Sequence, residues 1–113
     1  MEKNCRFSYN EIDDSLIISC KEENEKVANS FMFDEFIFNL TRKGKIVGIQ
    51  IRNASKILTE NNISSNLLNE IKSVSLIIAR RENCLFISLS IASNNIKVNV
   101  PLRVFVPEMP LTA

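Results

Sequence analysis

The sequence predicts an α+β domain: antiparallel β hairpins and a C-terminal three-strand meander, with one or two short helices between them. Three observations carry this prediction. Apolar and polar residues alternate in a series of short runs, the period-two signature of strands with one buried face. The stretch from Asn53 to Ile71 departs from that alternation and opens on a residue type that caps helices. Only 2 glycines and 3 prolines occur in 113 residues, so connections are few and tight. A chain of this length makes a single domain, residues 1–113, and buries roughly two-thirds of its unfolded surface. Its 45% hydrophobic and 24% charged content is that of a globular protein.

Cys5, Phe7 and Tyr9 alternate with polar residues, and so do Leu16, Ile18 and Cys20. Pairing Tyr9 with Leu16, Phe7 with Ile18 and Cys5 with Cys20 puts all six on one face of a first hairpin. Its turn, Asn10 to Ser15, carries Glu11, Asp13 and Asp14, and short Asn and Asp side chains bond their own backbone in turns. The polar stretch Lys21 to Asn29 reads as an exposed loop. A second hairpin runs in through Phe36, Phe38 and Leu40 and out through Val47, Ile49 and Ile51. A four-residue loop, Thr41 to Gly44, pairs Leu40 with Lys45, Phe38 with Val47 and Phe36 with Ile49. Gly44 supplies a positive φ there. Gly48 lies on the opposite face, where a missing side chain admits a neighbour.

Asn53 reads as an N-cap whose side chain accepts from the next turn of a helix over Ala54 to Asn61. Asn61-Asn62 ends that helix, and Ser64 starts a second short helical segment carrying Leu67, Leu68 and Ile71. The meander occupies 72–106, with Val74, Leu76 and Ile78, then Leu85, Ile87, Leu89 and Ile91, then Ile96 to Val106 as its apolar stripes. Its turns are Arg80 to Asn83 and Ser93 to Asn95. Pro101 removes a ladder donor and marks an edge strand or bulge. Residues 107–113 read as an extended tail.

Two segments resemble a known family. Tyr9-Asn10-Glu11-Ile12-Asp13-Asp14-Ser15-Leu16-Ile17-Ile18 is similar to Y-D-x-x-x-D-x-L-x-I. Gly44-Lys45-Ile46-Val47-Gly48-Ile49-Gln50-Ile51-Arg52-Asn53-Ala54-Ser55-Lys56 is similar to G-x-[IV]-V-G-[IV]-E-I-x-x-A-S-[KR]. In this order they resemble a family of small prokaryotic proteins, domain of unknown function 2283, over residues 6–58. The resemblance implies a small α+β domain built on antiparallel hairpins, and no established activity. It also implies a kinship with antitoxin-like partners of small toxins. Asn10 stands where the family usually has Asp, Ser15 where it often has Ala, and Gln50 where it usually has Glu, so Gln50 cannot act as an acid or base.

The chain contains no histidine, which removes the commonest general base at neutral pH and a common zinc ligand. Cys5, Cys20 and Cys84 lack zinc-site spacing, and no phosphate-binding glycine loop occurs. No catalytic, metal or cofactor residues are assigned, and the chain reads as a non-enzyme. Glu11, Asp13 and Asp14 lack the spacing of an EF-hand cation loop. The start of the chain lacks the apolar region of a signal peptide, and no run of apolar residues is long enough to span a bilayer. These features, with three unpatterned cysteines, point to the cytoplasm. A Cys5–Cys20 pair is expected there in its reduced form.

Net charge is +1, but residues 1–35 hold nine acidic and four basic side chains, so the acidic excess is concentrated near the start. A fold that separates these parts has an acidic end and a basic end. Arg42, Lys43 and Lys45 at one hairpin tip and Arg80 and Arg81 at another, with Arg52 and Lys56 nearby, are the candidate anion or nucleic-acid contacts. Ile17, Ile37, Ile46, Ile77 and Phe86 fall opposite the core faces and are the candidate interface. The leading expectation is a non-catalytic protein-interaction module that self-associates as a homodimer. The alternatives are an RNA- or ribosome-associated protein using its basic tips, and an antitoxin-like partner of a small toxin.

Overall fold

Alternation governs almost the whole chain. The computed structural model describes residues 3–82 and 84–105. Eight strands form one antiparallel sheet: β1 (Lys3–Asn10), β2 (Ser15–Ser19), β3 (Asn29–Phe33), β4 (Phe36–Leu40), β5 (Ile46–Ile51), β6 (Ser73–Arg81), β7 (Cys84–Ala92) and β8 (Lys97–Phe105). Their order across the sheet is β3-β4-β5-β2-β1-β6-β7-β8. The sheet curls into a half-barrel. It holds 55% of the described residues, against 12% in helix, so the α+β expectation is corrected to a predominantly antiparallel β fold. The helical part is too short to form a layer. It is one seven-residue helix, α1 (Ala54–Glu60), followed by a 3₁₀ turn at Ser65–Asn69.

Both pieces plug the concave face of the sheet. Ala54 and Leu58 of α1 join Leu67 and Leu68 of the 3₁₀ turn in one cluster with Leu16, Phe38, Ile49, Leu89 and other strand residues. Asn61-Asn62 ends α1 as expected, and the reason is visible in the backbone. Asn62 adopts φ 60°, its N–H bonds to Thr59 O, and Ile63 N–H bonds to Leu58 O. That pair of bonds satisfies the last helical carbonyls, with Asn in the left-handed position more often held by Gly. Ser64 starts the 3₁₀ turn by accepting from Asn66 N–H.

The first hairpin has the expected register, with Tyr9 opposite Leu16 and Phe7 opposite Ile18. The second is shifted. Phe36 pairs with Ile51 and Phe38 with Ile49, two residues from expectation, and Leu40 pairs with Ile46 past an irregularity beside Asn39. A two-residue shift keeps the same side chains on the same face. The bulge then leaves Val47 as the extra residue and exchanges the roles of its neighbours. Ile46, expected on the outer face, joins the core cluster, while Val47 is buried outside that cluster. Gly44 has the expected positive φ of 86°. A side chain at Gly48 would stand 3.1 Å from both Asn39 Nδ2 and Ile18 O, so the admitted neighbour is the Asn39 amide.

Three further differences concern boundaries. β3 lies in a stretch to which the alternation assigns no strand. In the β6–β7 hairpin, Arg80 and Arg81 belong to the strand, Arg81 pairing with Cys84, so the turn is tighter than Arg80 to Asn83. Ile96 is exposed and precedes β8. Asn83 of that turn, Val106 and the 107–113 tail lie outside the described residues. Pro101 does sit on an edge strand, β8.

β1 links the two halves of the sheet. Lys3 to Cys5 pair with β6, whereas Arg6 to Asn10 pair with β2. Cys5 and Cys20 meet at this changeover and are disulfide-bonded, correcting the expectation of a reduced pair. Cys20 N–H is directed to Val47 O of β5. Alternation along β2 therefore makes Cys5–Cys20 a non-hydrogen-bonded pair across β1 and β2, where Cα atoms approach most closely. Their Cα separation is 4.5 Å, within reach of a disulfide.

Candidate functional site

Among the described residues, one well-connected polar cluster joins the turn of the first hairpin to the start of α1. Asp14 ends the first turn in a left-handed conformation, φ 54°. That backbone aims its carboxylate at the start of α1. Ser55 Oγ donates to Asp14 Oδ2 at 2.6 Å, and Ser55 N–H donates to Oδ1 and Oδ2 at 3.1 and 3.2 Å. Ala54 N–H donates to the Asp14 carbonyl at 3.0 Å. From the other side, Tyr9 Oη donates to Asp14 Oδ1 at 2.6 Å.

Asp14 thus caps α1 from 41 residues away in sequence. Asn53 does not cap with its side chain: it is left-handed at φ 53°, and its Nδ2 donates to Glu35 Oε2 at 2.7 Å. Asn53 contributes its carbonyl instead, which accepts from Lys56 and Ile57 N–H. Burial works to raise the Asp14 pKa, but the Ser55 hydroxyl, the Tyr9 hydroxyl and the Ser55 N–H outweigh it and hold the carboxyl below its ordinary value. Burial, and then the bond to Asp14, push the Tyr9 hydroxyl up to about 12, with the charges of Asp14, Glu11 and Asp13 adding to the shift. Perturbed groups often mark active sites. Here the shifts come from burial and from the bonds of Asp14 to Tyr9 and Ser55, which fasten the first hairpin to the start of α1.

Beside this latch, on the outer face, Asp13, Ser15, Ile37, Gln50, Arg52 and Asn53 line a shallow groove of about 430 Å³. Gln50 occupies the centre of a row crossing four strands: Met32, Ile37, Gln50 and Ile17 are successive partners on β3, β4, β5 and β2. Arg52 Nη1 donates to Met32 Sδ at 3.5 Å. Of the five candidate interface residues, Ile17, Ile77 and Phe86 are 43%, 39% and 38% exposed, and Ile37 is half-buried. Ile46 is the exception, turned inward by the bulge. Phe86 is partly covered by the Arg103 guanidinium, 5.4 Å from the ring centroid.

The candidate basic residues do not form one patch. Strand directions put Arg42, Lys43 and Lys45 at one end of the sheet, with Arg80 and Arg81 at that same end, but β2 and β1 separate the two hairpins. Arg52 and Lys56 lie at the other end, beyond the length of β5, about 20 Å away at 3.3 Å per residue. Lys45 is also neutralised by Glu25 at 2.7 Å. The acidic turns, Glu11 to Asp14 and Asp34-Glu35, lie at the end opposite the basic tips, but Arg52 and Lys56 share that end and Glu25 sits on Lys45 at the basic tip, so the charge separation read from the sequence is only partial in the fold. Among the described residues, no group of three or more acidic or cysteine side chains could hold a metal ion. No described helix is long and apolar enough to cross a membrane. Compared with known proteins, the chain matches no family model, no curated protein and no solved structure.

Proposed function

We propose that the protein is a non-catalytic protein-interaction module that self-associates as a homodimer. The observation that carries this reading is the outer-face row of Met32, Ile37, Gln50 and Ile17, three of them apolar, which runs to the β3 edge of the sheet and leaves Met32 61% exposed. Exposed apolar rows rimmed by polar groups favour association. Here Asp13, Arg52 and Asn53 supply the rim. The titratable groups with shifted pKa values are engaged in the Tyr9–Asp14–Ser55 latch, which leaves them a structural role. We place the protein in the cytoplasm, where reducing systems work against the Cys5–Cys20 bond; a thiol count in cell extract reads its state. Light scattering from micromolar to hundreds of micromolar tests self-association. The expected result is an average mass rising from that of one 12.9 kDa chain toward twice that value. A mass that stays at one chain across the range overturns the reading.

A further inference from the structure

The two edges of the sheet are built differently. β8 carries Lys97, Pro101 and Arg103, the residue types that discourage a further strand from pairing. β3 reads Asn29-Ser30-Phe31-Met32-Phe33, with no charge and no proline. Among the described residues nothing pairs with its outer side. Met32 and Phe33 are 61% and 39% exposed.

The register states which backbone groups β3 presents. Arg52 N–H bonds to Glu35 O, so Glu35 and alternate residues Ile37 and Asn39 face β5. Phe36, Phe38 and Leu40 therefore face β3, opposite Phe33, Phe31 and Asn29. That leaves the N–H and C=O groups of Ser30 and Met32 directed outward. We propose that β3 pairs antiparallel with β3 of a second copy, with the two-fold axis at Phe31. This inference rests on the self-association reading and specifies its contact.

Two features select this occupant and this register. Ser30 of each copy faces Met32 of the other, so all four outward groups of each strand are used in reciprocal bonds. Phe31 meets its own symmetry mate in a non-hydrogen-bonded pair. Phe31 already stacks on Phe38, with ring centroids 4.9 Å apart, so the pairing continues an aromatic row across the junction.

Ser30→Pro is the first test. It removes an outward donor while staying compatible with an edge strand, and it should raise the dimer dissociation constant at least tenfold. The second test reads register in a Cys84→Ser background. Phe31→Cys should form a disulfide-linked dimer under mild oxidation, because Cα atoms in such a pair lie about 4.5 Å apart. Asn29→Cys, which faces Phe33 of the other copy, should not. A dimer that persists in Ser30→Pro, or that Phe31→Cys fails to link, overturns the β3 contact and leaves self-association standing. A monomer at every concentration in the unmodified protein overturns both.

Discussion

The two halves of the sheet are held by different means. β6, β7 and β8 are each nine residues long, follow one another in the chain and pair without interruption along their length. The half built from β1 to β5 has strands of five, six and eight residues, a bulge, and an order that departs from the sequence order. It carries the disulfide, the Asp14 latch and the Lys45–Glu25 pair. A long meander distributes its stability over ladder bonds and apolar stripes. Short strands brought together from distant segments rely on a few discrete fastenings, so point changes should act unequally on the two halves.

Breaking the disulfide should have the largest effect. It closes a loop with a sequence separation of 15, and constraining an unfolded loop of that size is worth about 3 kcal/mol. The double change Cys5→Ser with Cys20→Ser should lower the urea midpoint accordingly. Hydrogen exchange should quicken in β1 and β2 before it does in β7. Equal acceleration in both halves would remove the contrast.

The latch comes next. Asp14→Ala deletes the cap of α1 and should cost about 1–2 kcal/mol. Its pH dependence has a worked sign. The folded carboxyl lies below its ordinary value, so its contribution is complete above about pH 4 and is lost as pH falls through the folded pKa. Tyr9 lies above its ordinary value, so its contribution is complete below about pH 10 and is lost as pH rises toward about 12. The contribution of these two groups should be constant between these limits. Asp14→Asn should diminish the acid limb, and an unchanged acid limb would contradict the latch.

The smallest effect belongs to Lys45. Its side chain is 43% exposed against 16% for Glu25, and exposed ion pairs are worth below about 1 kcal/mol. Lys45→Met should shift the urea midpoint slightly and lose its salt dependence. A large loss would mean that this pair, rather than the disulfide and the latch, secures the β4–β5 end of the half.

Much of this was legible in the alternation of residues. The partners of Phe7 and Tyr9, the end of α1 at Asn61-Asn62 and the apolar stripes of β6 and β7 all follow from local pattern. What escaped did so for physical reasons. A period-two pattern cannot distinguish a register from one shifted by two, which explains the offset of Phe36 and Phe38. One extra residue at Val47 reverses inside and outside without changing the composition. β3 is exposed except at half-buried Phe31, and its run Phe31-Met32-Phe33 is apolar on both faces, so no alternation marks it. Asp14 advertises a turn, and nothing near it in sequence announces that its carboxylate reaches Ser55. Asn53 has the residue type of a cap, but its side chain is drawn away by Glu35. The basic residues between 42 and 56 are neighbours along the chain, yet the length of β5 places them at opposite ends of the sheet.

The division of β1 between two partners also sets an order of events during synthesis. Arg6 to Asn10 can close on β2 as soon as the first hairpin leaves the ribosome. Lys3 to Cys5 must wait for Val74 to Leu76, which emerge only after β3, β4, β5 and α1. For that interval the Lys3 to Cys5 part of β1 presents an uncovered strand edge, where early local pairing is complete and late non-local pairing is not.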